Sequence, residues 1–207
     1  MKNLTIPILT ALLLLAALPA AIPTANAQTT AGRDTRREAR QLESEGWGAM
    51  QGNPPLAQQI ADSRRAEADT TAQGGVRFFT ATAQGSAGNY TAAKQIADSR
   101  ARAQLAINIQ TAIVRGLREA GAAGLSAKDL DAVRNYVASS QPLILRQLQD
   151  AVTVMEIYRE KGNTCEVRIQ LKIEAATALA RTKSALQSGL AASSPQLADA
   201  LGKLLPH

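Results

Sequence analysis

The sequence predicts an α+β fold in which one long helix and further helices cover a small antiparallel sheet of about three strands. The main observation is residues 164–174, where five apolar residues alternate strictly with polar ones: Cys165, Val167, Ile169, Leu171 and Ile173. Successive side chains of a strand point to opposite faces, so this strand has one apolar and one polar face. A β-rich run, Val152–Arg159, precedes it across Glu160–Asn163, and the Gly-Asn in that connection is typical of a hairpin.

Residues 1–27 are predicted to be a cleaved export signal. Lys2 gives a positive start, an apolar run follows, and Ala25-Asn26-Ala27 matches the small-x-small cleavage pattern, so that Gln28 begins the mature chain. The alternative is a membrane-spanning helix, which three prolines in a short apolar run disfavour. No Cys lies near the cleavage site. The sequence therefore predicts an exported protein, periplasmic or associated with the outer envelope, without a lipid anchor and without a transmembrane span after cleavage.

Residues 28–55 are predicted to form an N-terminal helix and an irregular lead. Asp34 or Thr35 is suited to cap a charged helix that ends near Ser44. Glycines and prolines then predict irregular chain, in which Trp47 is expected to anchor in the core. The alternative is that Trp47 lines a groove and contacts a partner.

The α+β domain is predicted over residues 56–192. A helix from Leu56 to about Ala72 is followed by a β-branched and aromatic run, Val76–Ala83, which predicts the first strand. Asn89 or Thr91 is expected to cap the long helix. The spacing of its apolar residues predicts the stripe that covers the sheet: Leu105, Ala106, Ile109, Ala112, Ile113 and Leu117.

Three further helices are predicted after the long one. Ser126 is the expected cap of the first, with Asp129 at the capping-box position, and an Ala-rich helix spans Ala175–Leu190. Ser194-Pro195 begins a short amphipathic helix in the C-terminal tail, residues 193–207. The apolar side of the tail is expected either to pack on the domain or to contact a partner through Leu197, Leu201, Leu204 and Leu205.

The inventory of reactive residues predicts a protein that is not an enzyme. The single His is the last residue, His207, and the single Cys, Cys165, lies on the apolar face of the strand. Catalytic nucleophiles therefore lack their commonest base, zinc lacks its commonest ligands, and no Gly-rich phosphate loop occurs. We predict no catalytic residues, no cofactor and no metal. Cys165 is expected to be an inert buried thiol, and an intermolecular disulfide is the alternative.

Acidic pairs are the remaining candidates for acid–base chemistry. Asp129 and Asp131 form one pair, and Glu156 and Glu166 form another that could converge across the hairpin. Pairing of these acids with Arg or Lys on solvated faces is the favoured interpretation.

Charge and composition limit the class of partner. The leader holds one of the 23 basic residues and none of the 17 acids, which leaves the mature chain with a formal charge of +5. Aromatic residues make up only 3% of the chain, too few to interleave with basic residues as a stacking platform for nucleic acid. A solvated basic surface is favoured, and weak attraction to anionic lipid or polysaccharide is the alternative.

Several runs together resemble one family. They are Glu45–Ala49, Asn89–Lys94, the long helix through Gln110, and Val154–Arg159 followed by Glu166–Ile169. With these the chain resembles the family of small envelope lipoproteins named after the 20-kDa membrane-associated lipoprotein of Helicobacter, over about residues 45–186. The resemblance implies a dodecin-like α+β domain and an envelope location without known catalysis. It carries over no functional residues, and this chain lacks the lipidation Cys of the family name.

The function predicted from the sequence is that of a non-catalytic exported envelope protein that acts by binding or assembly. Its partner would be an unknown envelope protein or a second copy of itself. The alternatives are a peripheral membrane or cell-wall binding protein that uses its basic helices and C-terminal tail, and, less favoured, an enzyme that acts on wall polymers.

Overall fold

The computed structural model describes residues 24–119 and 126–204, with side-chain environments over 32–119 and 126–202. Within these residues the predicted α+β class is confirmed. The helices are α1 (Thr24–Ser44), α2 (Leu56–Ala68), α3 (Tyr90–Glu119), α4 (Ala127–Ser139), α5 (Gln141–Leu145), α6 (Ala175–Ala191) and α7 (Pro195–Leu204). The strands are β1 (Gly48–Ala49), β2 (Phe78–Ala87), β3 (Val152–Lys161) and β4 (Thr164–Glu174).

The signal-peptide prediction falls mostly outside the described residues, which begin at Thr24. Residues 24–27 belong to α1, which thus starts ten residues before the predicted cap at Asp34. Helix α2 is shorter than predicted and ends at Ala68, where Asp69 is extended.

The sheet has the order β1-β3-β4-β2, and every neighbouring pair is antiparallel. The predicted hairpin is β3–β4, and its turn is tighter than the four residues predicted. Lys161 pairs with Thr164 across Gly162-Asn163, and Gly162 has a φ of 61°, in the left-handed region that glycine tolerates. Strand β4 lies between β2 and β3, so the chain crosses from β2 to β3 through α3, α4 and α5.

One face of the sheet, here called the inner face, carries the main core. The five alternating apolar residues of β4 are all 7% exposed or less, and they belong to the same cluster as the buried stripe of α3. That stripe contains the predicted residues, with Ala112 only half-buried, and extends towards the helix start through Ala93, Ala97 and Ala101. Asn89 caps α3 as predicted, since its Oδ1 accepts a hydrogen bond of 2.9 Å from the Ala92 amide.

Strand β2 continues four residues beyond its predicted end, and the added residues include Gly85, which lies under α3. A Cβ on Gly85 would lie 2.1 Å from the Ala93 carbonyl oxygen and 2.6 Å from the Ala97 amide nitrogen. Only glycine leaves room for this approach of α3 to the sheet, so Gly85 is needed for packing.

The second face of the sheet, here called the outer face, is covered rather than solvated. Helices α1 and α2 pack on it around a smaller core of Ala39, Leu42, Trp47, Leu56, Ile60, Met155 and Ile157. The polar side of β4 is therefore partly enclosed, and Gln170 is only 1% exposed. The domain has three layers, with helices on both faces of the sheet.

The turn after α1 aims Trp47 into this outer core. The Trp47 amide donates to the Leu42 carbonyl at 2.9 Å and the Gly46 amide to the Glu43 carbonyl at 3.0 Å, with Gly46 at a φ of 87°. This is a Schellman motif, in which a glycine ends the helix and the next apolar residue contacts the last turn.

Candidate functional site

Glu156 lies at the centre of a polar cluster on the inner face. The Tyr90 hydroxyl donates to its carboxylate, and the Lys94 ammonium lies 2.8 Å from Oε1 and 2.7 Å from Oε2. The Glu156 side chain is 13% exposed, and the Tyr158 ring meets the Tyr90 ring edge-on with the ring centroids 5.7 Å apart. Because Tyr90 and Lys94 are one helical turn apart, they fasten the start of α3 to β3.

The cluster perturbs Tyr90. Burial first, and then the hydrogen bond to Glu156 and the negative charge of that carboxylate, raise the pKa of Tyr90 above its ordinary value. The phenol therefore stays protonated and donates to the carboxylate, which is the arrangement of a structural contact rather than of an activated base.

Glu166 lies on the outer face, so the alternative in which it converges with Glu156 is wrong. The register pairs Glu156 with Ile169 and Arg159 with Glu166, and paired residues share a face. Glu166 instead accepts from Arg159 at 2.7 Å and from Gln84 at 3.1 Å. Counting back from a two-residue turn at Gly162-Asn163 would have placed Glu156 on the apolar face; the prediction had allowed four residues for the connection.

The second acidic pair serves helix α4. The Asp129 amide donates to Ser126 Oγ at 3.1 Å, and that hydroxyl donates to the Asp129 carboxylate at 2.7 Å, so the predicted capping residues form the cap. Asp131 pairs with Arg134 at 3.3 Å. Over residues 24–119 and 126–204 no group of three or more His, Cys, Asp or Glu could hold a metal ion, and His207 lies outside the described residues.

Cys165 is 7% exposed on the inner face of β4. Burial first, and then the nearby carboxylates of Glu160 and Glu166, raise the pKa of its thiol. Both effects disfavour the reactive thiolate. The residue therefore has the environment of the inert thiol predicted from the sequence.

Trp47 is 2% exposed and takes the anchoring role. The guanidinium carbons of Arg159 and Arg168 lie 4.6 Å and 4.5 Å from the centroid of its ring. The indole thus packs between the sheet and α2 with two cations against it, a contact that stabilises the outer layer. A ring this enclosed has no face left for a partner, so the groove alternative does not describe this residue.

The C-terminal leucines divide between the core and the undescribed residues. Leu201 is fully buried in the main core with Ala198, and the half-buried Leu197 packs against it. Leu201 therefore belongs to the domain and not to a partner surface, because α7 packs on α6 and α4. The side chain of Leu204 and all of Leu205 lie outside the described residues.

A cleft of about 470 Å³ opens between α2 and one end of the outer face. Its wall includes the side chains of Asp62, Arg65, Phe78, Val152 and Lys172. Arg65 and Asp62 pair with each other at 2.9 Å, and the Lys172 ammonium lies 4.5 Å from the centre of the Phe78 ring. Since its charges are of both signs and are partly satisfied, the cleft selects no ligand class.

Helix α1 carries exposed charge on the side away from the protein. Arg33, Arg36, Arg37 and Arg40 are all exposed, whereas Thr35, Ala39 and Leu42 are buried. This outward set is here called the arginine face of α1. The sequence predicts these arginines only as part of a solvated basic surface.

Comparison of the chain with protein-family models, with curated proteins and with solved structures gives no match. Among the described residues, no helix combines the length and the apolar character that crossing a bilayer requires. The function therefore has to be inferred from the chain's own residues.

Proposed function

We propose that this protein is a non-catalytic, exported envelope protein that acts by binding, as a member of the small envelope lipoprotein family that its sequence resembles. The partner is an envelope component, and export depends on the predicted signal of residues 1–27. In this proposal the contact with the envelope is made by the folded surface of the domain.

The observation that supports this proposal is how the candidate acids are used. Glu156 is held by Tyr90 and Lys94 on one face of the sheet, and Glu166 is held by Arg159 on the other face. General acid–base catalysis needs such groups to converge on one substrate. Carboxylates that are paired with cations and separated by a sheet favour a structural role over reaction.

Export is tested by the mass of the chain recovered from its own host. The expected result is a processed chain that begins at Gln28 and fractionates with the cell envelope or periplasm. A full-length chain recovered only from the cytosolic fraction would refute the proposal.

Binding is tested by sedimentation of the purified protein with isolated envelope fragments at low salt. The expected result is that most of the protein enters the pellet with the fragments and stays in the supernatant without them. If the protein remains in the supernatant in both cases, it is not an envelope-binding protein.

A further inference from the structure

The arginine face of α1 is separated from the helix's acids by geometry. At about 100° per residue, its four arginines fall within an arc of about 100°, opposite the buried Thr35, Ala39 and Leu42. Asp34 and Glu43 lie beside this arc, and Glu38 is turned towards α2, where it pairs with Arg64. None of the four arginines has an ion pair with any described residue.

The apolar side of α1 is already used. Ala39 is 4% exposed and Leu42 is 8% exposed, both in the outer core with Trp47 and Ile60. A helix that lies in a membrane interface inserts its apolar face between the lipids, and over residues 32–44, where its side chains are described, α1 has no such face free. Over residues 32–44, the outward side of α1 therefore presents charged side chains without an apolar stripe.

We propose that the arginine face of α1 docks the protein on the phosphate-bearing surface of an anionic lipid bilayer. The proposal rests on the function proposed above and assigns the envelope component that this helix contacts. Guanidinium groups bind phosphate oxygens in pairs of hydrogen bonds, which makes arginine better suited to this surface than to a neutral one. The four side chains extend over about 10 Å of helix, so a flat array of headgroups reaches all of them together.

The size of the effect follows from the number of charges. One basic residue near an anionic membrane surface contributes roughly 1 kcal/mol, which corresponds to about a fivefold change in partitioning. Four arginines therefore change it on the order of a few hundredfold, reduced by the carboxylates of Asp34 and Glu43 beside them. Because the attraction is electrostatic, it decays over a Debye length of about 10 Å at 0.1 M salt and is lost at 1 M.

The test measures partitioning into vesicles of phosphatidylglycerol and into vesicles of phosphatidylcholine. The readout is the ratio of the two partition coefficients. This ratio separates the contribution of charge from that of apolar insertion, whichever residue begins the purified chain. The variant replaces Arg33, Arg36, Arg37 and Arg40 by Gln, which keeps helix propensity. The matched control removes the same charge elsewhere by replacing the exposed Arg115, Arg118, Lys128 and Arg146 by Gln.

We expect the ratio to be far above one for the natural protein, to fall at least fiftyfold in the α1 variant, and to fall less than tenfold in the control. A single reversal, Arg36→Glu, is expected to lower the ratio about twentyfold and tests the same face with one exposed residue changed. A ratio near one for the natural protein, or equal losses in variant and control, would overturn the proposal. Binding to envelope fragments without binding to anionic vesicles would also overturn it while leaving the proposed envelope function intact. Binding to anionic vesicles by a chain that is found only in the cytosol would support the docking role of α1 and refute the proposed envelope function.

Discussion

Replacing Gly85 by alanine tests the close approach of α3 to the sheet. The new Cβ would lie 2.1 Å from the Ala93 oxygen and 2.6 Å from the Ala97 nitrogen, and both atoms belong to the helix backbone. Ordinary contacts of a carbon with such atoms begin at about 3.5 Å, so α3 has to move by more than about 1 Å. A backbone cannot rotate out of the way as a flexible side chain can.

The movement is costly because the helix is packed along this whole stretch. Ala93, Ala97 and Ala101 are each 0% exposed, so lifting the helix opens gaps beside all three. Overpacking a well-packed core typically costs 1–3 kcal/mol and occasionally more, and we expect about 3 kcal/mol here. For a domain of this size, such a loss lowers the melting temperature by about 6–12 °C.

The assay is urea unfolding followed by circular dichroism, with thermal melts beside it. The matched control is Gly88→Ala, because a Cβ on Gly88 meets nothing within 4 Å and its φ is not positive. That control is expected to leave stability unchanged or to raise it by up to about 1 kcal/mol through the unfolded chain. If the free energy of unfolding of Gly85→Ala lies within about 0.5 kcal/mol of that of the natural protein, α3 does not approach Gly85 this closely.

Three other predictions concern single groups. Because the pKa of Tyr90 is raised in the folded protein, the unfolded chain loses this proton first, and the free energy of unfolding should fall as the pH rises above about 10. Tyr90→Phe should make that fall less steep in urea titrations at pH 9–11. Equal slopes for the two proteins would contradict this prediction. The buried thiol of Cys165 should react with a disulfide reagent at least about 100-fold more slowly in the folded protein than in urea. Fast reaction, or a covalent dimer on a non-reducing gel, would instead favour the intermolecular disulfide. Ser126→Ala should lower the free energy of unfolding by about 1 kcal/mol because it removes the cap of α4. The control is Ser188→Ala, at an exposed position in α6 with no capping role, which should lower it by less than about 0.5 kcal/mol. Equal losses of stability would show that the cap contributes nothing.

The local sequence pattern was enough to predict the inner layer of the fold. The alternation from Cys165 to Ile173 and the stripe from Leu105 to Leu117 each repeat with the period of one element, and each is buried on the face that the period selects. Caps at Asn89 and Ser126 were also predictable, because a cap involves residues only three apart. The buried thiol followed from the same alternation.

The outer layer was not predictable in this way because it depends on contacts between distant residues of mixed character. Helices α1 and α2 cover polar strand residues, and the cover is made by Trp47 against Arg168 and by Glu67 against Gln170. An arginine that packs on an indole has the same place in a hydrophobicity pattern as an arginine in water. Pattern alone therefore predicted a solvated face.

The amino-acid sequence alone determined the α+β class, the hairpin, the long covering helix and the absence of an internal histidine, since each depends on the period, the spacing or the number of residues. Only the tertiary structure decided that Glu156 and Glu166 lie on opposite faces, that Leu201 is core, and that the arginines of α1 point away from it. A strand places its side chains on alternate faces, so a shift of one residue in register moves a side chain to the other side of the sheet. Which side is covered, and by what, depends on segments far apart in the chain that only packing brings together.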